Sequence, residues 1–207
     1  MRLTRLCQSD FEQLVRNAKV LEADGFGPKV LHLENGLFLK LFRRKRWLSS
    51  ALWRPHSLRF ADNAERLQRL DIPTLEVRAL YVMEDKSTTG VLYNPLPGLS
   101  LTQLARRAGF RWEDVFALLV EFIRELHQKG IYFRSLHLGN IIQTPEGRLG
   151  LIDISDMRFM RKALPERLIR RNLAHFDRYL KREGLDADFP GARFHEALTG
   201  TSASSSR

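Results

Sequence analysis

Between Gly130 and Asp156 the chain reads GIYFRSLHLGNIIQTPEGRLGLIDISD, and its polar residues are of the kinds that handle phosphate. Asn140 opens one apolar run and Asp153 closes the next, with Pro145-Glu146-Gly147 between them. A loop, a hairpin and a carboxylate in that order bring together two oxygen ligands, which suit Mg²⁺ bridging nucleotide phosphates. Taken singly, either residue also fits an Asx turn. His137 is a further candidate, since an unperturbed histidine, with a pKa of about 6.5, suits a base at neutral pH. Asp156 lies three residues beyond Asp153 and serves as a second metal ligand, an acceptor-orienting carboxylate or a helix cap.

Further candidates lie upstream. Lys40 sits inside FLKLF, where a strand would project it as a point charge toward phosphates, and a carboxylate on the following helix would hold it in place. Asp62 and Glu65 share one helical face, so spacing does not choose between them. In DGFGPKV, Gly25 and Gly27 would let backbone amides approach a phosphate closely, though a plain turn reads the same way.

These residues need elements to position them. KVLHLENGLFLKLF, residues 29–42, has two apolar runs about Asn35-Gly36, a strong hairpin signal. ADNAERLQRL is helical and stops before Pro73, because the residue preceding proline is driven out of the helical region. LEVRALYVM and TGVLYNP read as strands, giving a mostly β first half with one helix. NPLPGLSL is a connector. Val115, Leu118, Leu119, Phe122, Ile123 and Leu126 form one apolar stripe of helical period, ended by Gly130 as a C′ residue. NIIQTPEGRLGLID is a hairpin. A last helix starts with Pro165 at N1 and carries Leu168, Leu173, Phe176 and Leu180. The small polar tail, Thr199 to Arg207, reads as disordered.

The 207 residues are 43% hydrophobic, enough for one domain or two small lobes with a real core. A net charge of +10 favours a polyanionic partner: nucleic acid, an anionic membrane surface or a phosphorylated substrate. The single cysteine, Cys7, excludes an internal disulfide and fits a reducing compartment. No leader-like apolar segment opens the chain, and the longest greasy run, VFALLVEFI, is broken by Glu121. We read a soluble, cytoplasmic protein with peripheral contact at a membrane.

From about Leu21 to Tyr179 the chain resembles the protein-kinase-like fold, and within it the bacterial lipopolysaccharide core kinases that act on Kdo and heptose sugars. DGFGPKV is similar to a degenerate glycine-rich loop, FLKLF to the lysine strand, and NAERLQRLDIPT to the family's helix and its exit. YNPLPGLSL resembles the hinge, GIYFRSLHLGNII the catalytic loop and LIDISD the metal-binding strand end. RRNLAHFDRYL resembles the closing helix. The resemblance implies an α+β, two-lobe fold: a β-rich N-lobe at 1–92, a hinge at 93–97 and a truncated, mostly helical C-lobe at 98–198. It implies ATP and Mg²⁺, with Lys40 on the nucleotide, Asn140 and Asp153 on the metal, and an acceptor on the lipopolysaccharide core or another anionic molecule. It also implies work at the inner membrane's cytoplasmic face. In the catalytic loop, Phe133 and Ser135 stand where the family has His and the base Asp.

Ser135 leaves three readings. Phosphoryl transfer depends mostly on positioning and charge neutralisation, while a general base contributes ~10²–10⁴-fold. An atypical kinase would use His137 or Asp156 in place of the lost carboxylate. A pseudokinase would bind nucleotide and regulate or scaffold envelope biosynthesis. Ranked below both is a nucleic-acid binder using the run Arg43 to Arg46 with Trp47 and Trp53, and Arg167, Arg170 and Arg171 on the last helix. The same run suits docking on an anionic membrane, at ~1 kcal/mol per basic residue.

Overall fold

The computed structural model describes residues 2–43 and 55–200. The chain is a mixed α+β protein and divides into two compact units, residues 1–96 and 97–207.

In the first unit Asn35-Gly36 turns the chain as its residue types require. Gly36 takes a positive φ of 80°, and Leu33 N–H donates to Leu37 O at 2.8 Å. This joins β3 (Gly27–His32) to β4 (Phe38–Arg43), antiparallel with Val30 opposite Lys40. The other elements are β1 (Leu3–Leu6), α1 (Gln8–Val15), β2 (Lys19–Asp24), α2 (His56–Arg69), β5 (Glu76–Met83) and β6 (Thr88–Asn94). The six strands form one sheet in the order β1-β5-β6-β4-β3-β2, with β1 parallel to β5 and the remaining pairs antiparallel.

Alternation along β4 decides what each sheet face does. Leu39 and Leu41 are buried with Leu31, Leu33 and Leu92, and Phe11, Leu14 and Val15 of α1 pack against them. Full burial of such a side chain contributes about 1.5–3 kcal/mol. Lys40 and Phe42 point to the opposite face, where the Phe42 and Phe60 rings lie 5.8 Å apart. α2 ends as expected before Pro73: Asp71 turns left-handed at φ 57°, and Ile72 N–H reaches back to Leu67 O. The unit carries two helices where the sequence suggests one. No α1 residue is fully buried, so its apolar signal is weak.

The second unit comprises β7 (Leu99–Ser100), α3 (Leu101–Ala105), α4 (Glu113–Gln128), β8 (Ile131–Phe133), β9 (Ile141–Gln143), β10 (Leu149–Leu151), β11 (Met157–Phe159), α5 (Glu166–Glu183) and α6 (Gly191–Thr199). β10, β9 and β7 form one small sheet, and β11 pairs with β8. α4 buries Val115, Leu119, Phe122, Ile123 and Leu126, but Leu118 of the expected stripe is 38% exposed and Val120 is buried instead. Gly130 adopts φ 71°, and a Cβ there would stand 2.5 Å from Lys162 O, so the position demands glycine. The β9–β10 hairpin turns at Gly147, φ 80°.

Two boundaries differ from expectation. Pro165 is the N-cap of α5 in an extended conformation, not N1, and the helix begins at Glu166. Thr199 closes α6, whose Phe194 and Leu198 are buried, so it does not belong to a disordered tail. Residues 201–207 lie outside the described residues, as do Arg44, Lys45, Arg46, Trp47 and Trp53 of the basic run. Among the described residues no helix is long and apolar enough to cross a membrane.

Candidate functional site

The loop after β8 is built on backbone contacts. Leu136 N–H donates to Phe133 O at 3.2 Å, and Phe133 O also accepts from the buried Asn172 side chain of α5 at 2.7 Å. Asn140 closes the loop in a short 3-10 turn, Leu138–Asn140, and donates Nδ2–H to Ser135 O at 3.0 Å. Its amide nitrogen is thereby committed, leaving the amide oxygen as the candidate ligand atom.

Asp153 is brought alongside by the hairpin. Ile152 N–H donates to Asn140 O at 3.0 Å, tying the two segments at the backbone. Asp153 then turns left-handed, φ 52° and ψ 44°, a conformation uncommon for a residue bearing a Cβ. The chain enters a second 3-10 turn, Ile154–Asp156, which delivers a carboxylate to the loop: Ser135 Oγ donates to Asp156 Oδ2 at 2.7 Å. Asp156 Oδ1 is buried and meets no hydrogen-bond donor among the described residues.

A magnesium site fits the donor chemistry here. An amide oxygen and a carboxylate are hard ligands, and Mg²⁺ bound with nucleotide takes one or two protein oxygens, filling its other positions with phosphate and water. Among the described residues no group of three or more His, Cys, Asp or Glu is gathered as a metal cage.

His137 has a different place from the base its sequence position suggests. Its ring lies flat on Tyr179, with centroids 3.9 Å apart and planes 5° apart, and Nε2 faces Asn140 Nδ2 at 3.2 Å. Accepting that amide proton puts the ring's own proton on Nδ1, which is buried without a partner among the described residues. Burial first, then the charges of His175 and Arg182, push its pKa down to about 4. A neutral, stacked imidazole already engaged by Asn140 orients the loop; it is badly placed to take a substrate proton.

The first unit's candidates are dispersed over the β2–β3 turn, β4 and α2. Gly25 and Phe26 make the two-residue turn between β2 and β3, with Gly27 at φ 107°. Phe26 N–H is already taken by Asp24 Oδ1 at 2.9 Å, and Arg43 stands by that carboxylate at 3.9 Å. One amide of this turn is therefore engaged within the turn, and a carboxylate and a guanidinium both stand beside it. Lys40 Nζ lies 5.9 Å from the Phe42 ring centre and 5.6 Å from that of Phe60. Glu65 is exposed and ion-paired with Arg69 at 2.9 Å, while Asp62 is half-buried on the same helix. On α5, Arg170 pairs with Glu166 at 2.5 Å, which offsets part of that helix's basic cluster.

Sequence reading missed Asn172, Tyr179 and Thr102. Tyr179 shares a 2.8 Å hydrogen bond with Thr102 Oγ1, and Asn172 is 1% exposed. Asn172 and Tyr179 stand seven apart within the apolar stripe of α5, and a polar residue inside such a stripe is the signal that would have found them. No family model matches the chain, and none of the curated proteins matches it.

Proposed function

We propose that the chain is a small kinase-like phosphotransferase that uses ATP with Mg²⁺, its acceptor being a lipopolysaccharide core sugar or a related anionic molecule. The observation that carries this reading is the 2.7 Å bond between Ser135 Oγ and Asp156 Oδ2. The carboxylate missing from the loop is restored within one hydrogen bond of it, from the turn that follows Asp153. Asp156 accepts the acceptor hydroxyl's proton, Asn140 and Asp153 hold the metal, and His137 fixes Asn140. The metal neutralises phosphate charge, the main requirement of a loose transition state. Lys40 is assigned to the nucleotide phosphates, and Asp62 or Glu65 of α2 to its orientation.

In this reading residues 1–92 are an N-lobe and 98–198 a truncated C-lobe of a two-lobe kinase-like fold. Its support is Lys40 on an interior strand of an antiparallel array and the loop–hairpin–carboxylate order of the second unit. The acceptor class rests on the resemblance and on the net charge of +10, which also suits peripheral contact with an anionic membrane.

The test is titration calorimetry of ATP with and without Mg²⁺ on the full chain and on Asp153→Ala, followed by turnover with a lipopolysaccharide core acceptor. Mg²⁺-dependent binding lost in Asp153→Ala, with transfer to acceptor, is expected. Binding without transfer favours the nucleotide-binding pseudokinase to which Ser135 also points, and absence of binding overturns both.

A further inference from the structure

We propose that Ser135 is itself a phosphoryl acceptor, modified by the nucleoside triphosphate bound to the same molecule. This rests on the nucleotide reading above and extends it to a covalent modification site on the chain.

A serine hydroxyl is a weak nucleophile until a base takes its proton, and the diagnostic arrangement is a hydroxyl within hydrogen-bond reach of that base. Ser135 Oγ and Asp156 Oδ2 have that arrangement at 2.7 Å. Asp156 Oδ1 is buried and meets no donor among the described residues, so the Ser135 hydroxyl is the side-chain donor this carboxylate has there. The backbone that carries the hydroxyl is held in place: Asn140 Nδ2 donates to the Ser135 carbonyl oxygen at 3.0 Å, and Asn172 Nδ2 to the Phe133 carbonyl oxygen at 2.7 Å. The clamp on the serine is therefore the residue whose amide oxygen is the candidate metal ligand. Ser135 is half-exposed and Arg134 exposed, so a phosphoryl group added here is not forced into the core.

In the step itself, a bond forms between Ser135 Oγ and the γ-phosphorus. The bond from that phosphorus to the oxygen bridging the β-phosphate breaks, and nucleoside diphosphate leaves with its electron pair. The hydroxyl proton passes to Asp156. Once Asp156 releases that proton to solvent, phosphoserine and carboxylate stand as two neighbouring anions in place of a donor–acceptor pair, which unlocks the loop from the 154–156 turn.

The full 207-residue chain is incubated with ATP and Mg²⁺, its intact mass recorded and the modified peptide sequenced, while ATP binding is measured separately by calorimetry. One phosphoryl group on Ser135 is expected, appearing at a rate independent of protein concentration. It should be absent in Ser135→Ala and slower by ~10²–10⁴-fold in Asp156→Asn, an isosteric change that still accepts the hydroxyl's hydrogen bond. A wild-type chain that binds Mg²⁺ and ATP but stays unmodified, or is modified elsewhere, overturns the inference and leaves the nucleotide reading intact. A chain that binds no nucleotide overturns both.

Discussion

Tyr179 of α5 lies flat against His137, ring centroids 3.9 Å apart, while its hydroxyl bonds Thr102 Oγ1 at 2.8 Å. One side chain thus joins the loop, α3 and α5. Gly139 passes so close that a Cβ would overlap the Tyr179 hydroxyl.

Tyr179→Phe keeps the stacked ring and strands the buried Thr102 hydroxyl. An unsatisfied buried hydroxyl costs about 1–3 kcal/mol, so a lower urea midpoint with an unchanged slope is expected. Gly139→Ala should cost at least as much and also weaken Mg²⁺-dependent nucleotide binding, since it pushes Tyr179 off His137. Unchanged midpoints in both would mean that the contact holds nothing.

Gly98 and Gly25 should behave oppositely. Gly98 sits at φ 127°, and a Cβ there would run into Gln143 O, so Gly98→Ala forces β7 off β9. A loss well above about 1 kcal/mol is expected, the level exceeded when the native backbone cannot accept alanine. Gly25 has no atom within 4 Å of a built Cβ and no positive φ, so Gly25→Ala should change stability by less than about 0.5 kcal/mol. Thermal unfolding of the two variants side by side decides it.

What could be read from the residues was what short-range physics dictates. Asn35-Gly36 forces a hairpin, Gly130 ends α4, and Pro73 stops α2, because turn and cap chemistry act over a few residues. β1 was invisible: Leu3 pairs in parallel with Leu80, and nothing local in LTRL reports a partner so distant. The candidate site divides the same way. The types and order of Asn140 and Asp153 are visible in sequence, but the Ser135–Asp156 bond closes across a hairpin whose register only the fold sets. His137 looks like a base from its residue type; its partial burial and its stack on Tyr179 are tertiary, and no local signal reports them.

Acid should destabilise the second unit before its carboxylates protonate. His127 is 4% exposed, and burial pushes its pKa down to about 4, against a smaller opposing pull from Asn172. In the unfolded chain the same imidazole takes up a proton near its ordinary value of about 6.5, so between those pH values the unfolded state binds more protons. Stability is then full above about pH 6.5, falls as pH drops, and levels off for this group below about pH 4, a loss of about 3 kcal/mol in all. His127→Phe should make that part of a urea-midpoint profile shallower without abolishing it, because His137 is depressed to the same value and titrates in the same window. A variant profile parallel to the wild type would rule His127 out as a cause.

Lys40 separates binding from folding most cleanly in the first unit. Its strand neighbours Leu39 and Leu41 are core residues, whereas Lys40 is on the other face with its ammonium 5.6 Å from the Phe60 ring centre. Lys40→Met keeps the apolar stem and the strand and removes the charge, and with it a cation–π contact of about 0.5–1 kcal/mol. The Kd for ATP with Mg²⁺ should rise tenfold or more if the ammonium meets phosphate. A Kd that stays put while the melting temperature drops would assign Lys40 to the aromatic cluster of Phe42 and Phe60 and take it out of the nucleotide site.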